Sequence, residues 1–264
     1  RTVFAAKPKK ALLLAPTFSE YEKALSAAGC EINFYALKEE NDFALGDDYI
    51  NVLEGGYDIV FLCSPNNPTG GELSEQCLLE IVTRCKRLGI LPVIDMSFAD
   101  FSENTVSSNV LAEAGAAVIK AFTKIYAMPA LRLGYMLCCD EDLLGKVSLA
   151  GQSWSVNSLA QAAGAAALDD SDFIGRTVEY ISRERRFLTE KFGAMGIKTY
   201  PAAANFILLK SEHDLADIAM ESGIALRRCE NFCGLDGSFF RTAVRSHEDN
   251  IELVMALERG LLNG

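Results

Sequence analysis

Over the first two-thirds of the chain, short apolar runs alternate with stretches whose apolar residues recur at helical spacing. Ala11–Ala15 is an apolar run closed by Pro16, and it reads as a buried strand. Ser19–Ala28 has the period of a helix and meets a stop signal at Gly29. Glu31–Tyr35 and Ile59–Cys63 are further strands, the second leading into a loop of Pro, Asn and Gly. Ser74 caps a helix that runs to Leu88 and stops at Gly89. Strands follow at Leu91–Ile94, ending on Asp95, at Ala117–Phe122 and at Leu133–Cys138. Strands this apolar, separated by helices, predict a largely parallel sheet covered on both faces.

The pattern then changes. Glu141 to about Leu168 is helical and alanine-rich, and Asp172–Met195 is a long charged amphipathic helix that ends before Gly196. Strand-like segments at Asn205–Leu209, Ile224–Arg227 and Phe239–Val244, a helix around Asp214–Glu221 and a closing helix Glu248–Leu262 predict a smaller α+β domain. The expected division is 1–145 for the large domain, 146–170 for a helical connection and 171–264 for the small C-terminal domain. The chain starts at Arg1 rather than Met, which reads as an interior point of a longer gene product.

Composition narrows the classes. At 264 residues, 50% hydrophobic and 23% charged, the balance is that of an ordinary globular protein. The apolar stretches stop short of the roughly 20 residues a membrane span needs, and no secretory leader is read at the start. A formal net charge of −11 without a basic run argues against a nucleic-acid partner. None of the eight cysteines forms Cys-x-x-Cys, and with two histidines no metal site is expected. They read as reduced, mostly buried small hydrophobes of a cytoplasmic protein. The Gly-x-Gly-x-x-Gly turn of dinucleotide-binding enzymes is absent after the first strand, which counts against hydride transfer.

Ligands of open α/β sheets bind at the carboxyl ends of the strands. Asn66-Asn67-Pro68-Thr69-Gly70 follows one strand, Asp95 ends another, Thr123-Lys124 follows a third, and Arg132 immediately precedes Leu133–Cys138. Arg241 lies inside a C-terminal strand. Taken singly, each has a plain structural reading: a turn, a cap, a solvated charge. Their order and spacing together carry more.

The segments APTFSEYEKAL (15–25), FLCSPNNPTGGELS (61–74), VIDMSFADF (93–101), AFTKIYAMPALRLGY (121–135), WSVNSLAQAAG (154–164) and FFRTAVRSHEDN (239–250) make the chain resemble the fold-type-I pyridoxal-phosphate enzymes, class I/II aminotransferases. Within them it is most similar to the branch holding histidinol-phosphate aminotransferase and threonine-phosphate decarboxylase. The resemblance spans essentially the whole chain. It implies a three-layer α/β/α large domain with a mostly parallel sheet, a cofactor (pyridoxal 5'-phosphate, PLP) and a homodimer. Lys124 is then expected to carry the cofactor as a Schiff base and, once freed, to move the Cα proton. Asp95 pairs with the pyridine nitrogen, Asn67 with the ring 3-oxygen, and Phe18 stacks on the ring. Thr123 adjoins the lysine as a further cofactor contact. Arg132 binds the cofactor phosphate, and Arg241 clamps the substrate carboxylate. Asn157 is a candidate on the substrate side.

The chain departs from the family pattern in three places. Phe98 stands three residues after Asp95, where the family has Tyr, and Ala121 stands three before Lys124, where a Ser or Thr holds phosphate. The family's N-terminal arm and phosphate-binding turn are missing, residues 1–8 reading as the tail of the helix that follows that turn. The expected activity is transamination of an amino acid or amino-phosphate. Decarboxylation of a phosphorylated amino acid is the alternative with the same cofactor, and a catalytically inactive aminotransferase-like module is the alternative of another class. His213 and His247 are read as surface capping residues, Trp154 as packing at a helix start, and Arg227-Arg228 as a solvated pair, with contact to a substrate phosphate as the alternative. Arg245 shares a strand face with Arg241, which alone is expected at the carboxylate.

Overall fold

The apolar runs become the strands of a six-stranded sheet in the computed structural model, which describes residues 1–104 and 106–263. The chain runs α1 (Thr2–Ala6), β1 (Lys10–Ala15), α2 (Glu20–Ala27), β2 (Glu31–Ala36), α3 (Tyr49–Val52), β3 (Ile59–Cys63), α4 (Glu75–Leu88) and β4 (Leu91–Asp95). It continues through α5 (Ser108–Ala114), β5 (Ala117–Ala121), α6 (Phe122–Ile125) and β6 (Gly134–Leu137). The sheet order is β2-β1-β3-β4-β5-β6, parallel except for the β5–β6 pair.

Continuous apolar strands follow from burial on both faces. Leu12, Leu14, Val60, Leu62 and Ile94 pack toward α4. The alternate residues Leu13, Phe61 and Val93 pack toward Tyr21 and Leu25 of α2. Ser74 caps α4 by accepting from the Cys77 N–H at 3.2 Å, and Gly89 closes it at φ 71°. Two short helices, α3 and α5, were not read from the pattern, although Ser107 and Gly115 bracket α5 as cap and stop.

The remainder is α7 (Glu141–Leu149), α8 (Ser158–Asp169), α9 (Phe173–Ala194), β7 (Lys198–Thr199), β8 (Phe206–Lys210), α10 (Leu215–Glu221), β9 (Arg227–Arg228), β10 (Phe239–Ala243) and α11 (His247–Asn263). The alanine-rich stretch is two helices rather than one. It breaks at Gly151, and Asn157 starts α8 by accepting from the Ala160 N–H. The strand expected at Ile224–Arg227 shrinks to the two residues of β9, because only Arg227 and Arg228 pair with β10. A second sheet, β7-β8-β10-β9, is antiparallel and packs on α9, α10 and α11. Tyr200, Leu208 and Phe239 from this sheet share a core with the first. No helix among the described residues is long and apolar enough to cross a membrane.

Candidate active site

The polar groups singled out at strand ends converge on one edge of the first sheet. Cys63 of β3 lies in register with Asp95 of β4, and Asp95 with Ile119 of β5. Arg132 joins them only because β6 runs backward: Gly134 pairs with Ala121, so the start of β6 meets the end of β5. An all-parallel sheet would have sent that arginine to the opposite edge.

Asp95 is buried, and both its oxygens are held. The Tyr21 hydroxyl donates to Oδ2 at 2.6 Å and the Ser97 N–H to Oδ1 at 2.9 Å. Neither donor carries charge, and no cation pairs with this carboxylate among the described residues. Tyr21 was not singled out from the sequence. The helical spacing of Phe18 and Tyr21 was the available signal, and their rings meet edge-on at 5.5 Å. Phe18 itself is partly exposed.

The Asn-Pro-Thr-Gly loop divides its two asparagines. Asn66 is structural: it accepts from Thr17 Oγ1 at 2.8 Å and donates to the Pro16 carbonyl at 2.9 Å and to Thr69 Oγ1 at 3.0 Å. Asn67 is buried and accepts from Nη1 of Arg241. Gly70 takes φ +79°, and a Cβ there would lie 2.6 Å from that of Ala202.

Lys124 sits in the helical turn α6, not in an open loop, since β5 already ends at Ala121. Its ammonium stands 5.7 Å from the Phe98 ring centroid and has no carboxylate partner among the described residues. Lys120, four residues earlier, is ion-paired with Asp100. Thr123 is half-buried beside Lys124. Arg132 is exposed, at φ 58°, with Nη1 donating to the Pro129 carbonyl at 2.9 Å. Asn157 is occupied structurally, capping α8 and donating to the Leu131 carbonyl at 3.2 Å.

Arg241 extends from β10 across Phe206, 5.0 Å from its ring centroid, and Phe206 meets Phe98 edge-on. Burial pushes this guanidinium below its usual value. It is half-buried and has no carboxylate partner among the described residues, so it is placed to receive an anion.

The two arginines of Arg227-Arg228 part company, because successive strand residues face opposite sides, with Arg227 exposed. Arg228 forms ion pairs with Asp214 and Asp217, each at 2.6 Å. Arg227 stands opposite Arg241 in the β9–β10 register. Arg227 donates to Asn231 Oδ1 at 2.7 Å, and an anion lying between it and Arg241 would relieve their like charge. Arg245 turns away to Asp249 at 2.9 Å. His247 is more than a cap: its Nδ1 lies 2.9 Å from the buried Glu184 carboxylate, while Ser246 caps α11. His213 stays at the surface, and Asp214 caps α10. Trp154 is no packing residue here, being 92% exposed.

A largely parallel sheet flanked by helices, with a lysine, a carboxylate and arginines on its ligand edge, defines an α/β group-transfer enzyme scaffold. The sequence matches the profile of aminotransferase class I and II over residues 2–257. It is 37% identical to threonine-phosphate decarboxylase of Salmonella typhimurium over 98% of this chain and 72% of that protein. It is 31% identical to histidinol-phosphate aminotransferase of Methanosarcina mazei over 97% of this chain and 68% of that one. The structure superposes on histidinol-phosphate aminotransferase from Clostridium acetobutylicum with a TM-score of 0.93 and 26% identity, covering 100% of this chain and 81% of that one. L-threonine-O-3-phosphate decarboxylase from Porphyromonas gingivalis gives a TM-score of 0.83 at 25% identity, with 99% and 79% covered. The chain belongs to the aminotransferase class I and II family of enzymes.

Proposed function

We propose that this chain binds pyridoxal phosphate at Lys124 and acts on the α-carbon of a small amino acid that also carries a phosphate, with release of its carboxyl group as CO2. The arrangement that carries the substrate class is Arg227 opposite Arg241 on one strand face, the first exposed, the second half-buried and free of any described carboxylate. Two guanidiniums side by side suit a ligand with two anionic groups.

The residues present fit the cofactor. Asp95 is a buried anion satisfied only by neutral donors, so a protonated ring nitrogen completes it. Lys124 is an amine without a partner, Asn67 and Thr123 lie at adjoining strand ends, and Phe18 offers a ring face. Arg132 supplies a charge for the phosphate, alone at that position because Ala121 has no hydroxyl. Bound there, pyridoxal phosphate supplies a protonated ring that accepts the electron pair left when a Cα bond breaks. Asp95 keeps the ring nitrogen protonated, and Lys124 delivers a proton to Cα after carboxylate loss.

Decarboxylation is preferred for two reasons. The relative at 37% identity is a decarboxylase. Phe98, whose ring faces the Lys124 ammonium at 5.7 Å, has no hydroxyl to assist a second proton transfer. Transamination remains the second reading, supported by the relative at 31% identity and by the neighbour at TM-score 0.93. A homodimer fits the exposed Leu149, Trp154, Leu159 and Leu168 around α7 and α8. The division near residues 145 and 170 fits a first sheet that ends at Leu137 and a second that begins at Lys198. Eight free cysteines fit a cytoplasmic setting.

The test is to load the chain with pyridoxal phosphate, remove the excess, and record its absorbance beside Lys124→Ala. The parent is expected to retain a band that amines discharge and the variant to lose it. CO2 release from O-phosphothreonine, set against 2-oxo acid exchange with histidinol phosphate, separates the two reactions. No retained cofactor would leave the inactive-module reading standing.

A further inference from the structure

We propose that Tyr21 is a positioning residue for Asp95: its hydroxyl fixes the aim of that carboxylate in its buried pocket. The inference deepens the cofactor reading given above and rests on it for its catalytic meaning, though the contact itself does not. Tyr21 is buried, and its ring stacks on Phe61 at 5.1 Å and meets Phe18 edge-on. Packed in this way, the ring cannot swing, so the 2.6 Å hydrogen bond to Oδ2 is imposed by the α2–β3 contact rather than by the carboxylate. The Ser97 N–H holds Oδ1, which fixes the carboxylate plane and leaves its free lone pairs as the only direction for another donor.

The electrostatics follow from burial. Asp95 has no described cation, and Cys63 faces it in register from β3, its thiol pushed up to about 12 chiefly by burial and so uncharged. Burial first, and then the Asp95 carboxylate beside it, push the Tyr21 phenol well above its ordinary value. Tyr21 is therefore a permanent donor, and a hydrogen bond to the charged form favours that form. One short segment, Pro16–Ala27, thereby sets both the ring-facing aromatic Phe18 and the acid that meets the ring nitrogen.

The experiment compares the parent with Tyr21→Phe, which keeps both ring contacts and removes only the donor. Cofactor-free protein carrying carboxyl-13C aspartate is titrated by NMR, with Asp95→Asn identifying the resonance. A hydrogen bond to a charged group corresponds to a shift of about one to two pH units. Asp95 in Tyr21→Phe is expected to take up its proton that much higher than in the parent, with the other aspartates unmoved. With cofactor loaded, Tyr21→Phe is expected to lower kcat about tenfold or more with KM within twofold, and to change the pH dependence of the cofactor band. An unchanged Asp95 titration overturns the proposal, whatever the activity. A shifted titration in a parent that retains no cofactor sinks the cofactor reading and leaves the Tyr21–Asp95 link standing. Loss of the thermal transition in Tyr21→Phe directs the comparison to Tyr21→His, which restores a donor and is expected to return the resonance toward the parent. If it does not, the proposal fails.

Discussion

Replacing Gly70 by alanine tests whether the Asn-Pro-Thr-Gly loop is held by backbone conformation, by close approach, or by both. Gly70 sits at φ +79°, where an L side chain costs about 1–2 kcal/mol. Its new Cβ would lie 2.6 Å from Ala202 Cβ and 3.1 Å from Ala202 Cα, and neither atom is the end of a flexible side chain. Overpacking of this kind costs about 1–3 kcal/mol. The loop has little freedom to retreat, because Gly70 N–H donates to the Asn66 carbonyl at 2.7 Å and the Gly70 carbonyl accepts from Ala203 at 2.9 Å. The expected loss is about 2–5 kcal/mol, a large part of a typical folding free energy. Ala202→Gly removes the 2.6 Å contact and leaves the φ cost. In a double-mutant cycle followed by urea unfolding, Gly70→Ala should therefore be rescued by about 1–3 kcal/mol in the Ala202→Gly background, with about 1–2 kcal/mol unrecovered. A loss under about 0.5 kcal/mol would refute the geometry. Full rescue would show that φ at Gly70 carries no cost, and no rescue that the approach to Ala202 carries none.

Three further outcomes are expected. Arg227→Ala should raise KM for a phosphorylated substrate about 10- to 150-fold, as loss of a charge-assisted contact implies, with stability changed by under about 1 kcal/mol. Arg228→Ala should leave KM unchanged and cost little stability, since it loses only two surface ion pairs, so steady-state kinetics separates the neighbours. Burial opposes ionisation of Glu184, but hydrogen bonds from His247, Asn250 and Arg183 outweigh it and hold the carboxyl below its ordinary value. A lowered carboxylate adds stability above its unfolded value near 4.5 that is lost as pH falls through the folded value, so Glu184→Gln should flatten the thermal midpoint against pH on the acid side. Glu39 is drawn down to about 2, by Lys210 first and, against burial, by Tyr200 and Lys198. Glu39→Gln should remove the part of acid unfolding that falls between about 4.5 and about 2, read by circular dichroism.

Much of the first sheet was legible because its strands are buried on both faces and their helices carry ordinary stops. The strand at Ile59–Cys63 and the helix from Ser74 to Gly89 emerge where the pattern put them. Legibility fell where tertiary contact overrides local pattern. The break before α8 depends on an Asn157 cap in an otherwise continuous alanine-rich run, and β9 survives only where β10 pairs with it. The direction of β6 leaves no local mark, since its four residues are exposed or half-buried and read the same either way. That direction nonetheless decides whether Arg132 can share an edge with Lys124.

The same argument explains which site residues were found. Lys124, Asp95, Asn67 and Arg241 are ordinary one by one; the order and spacing of their segments, and the resemblance these carry, raise them together. Tyr21 does not stand out, being a tyrosine on an amphipathic helix, and Arg227, one of two adjacent arginines, is raised only as the lesser reading of a solvated pair. Each acquires its chemistry from a second element, Tyr21 because α2 lies over the Asp95 end of β4, and Arg227 because β9 pairs in register with β10. Both are also the residues whose contacts carry an energetic anomaly, a buried anion without a cation in one case and opposed like charges in the other. A chain selected for stability alone would remove both. Tyr21 stands over the first sheet and Arg227 beside Arg241 on the second, and together with Lys124 they are what the proposed ligand, bearing a ring cation and two anionic groups, would require.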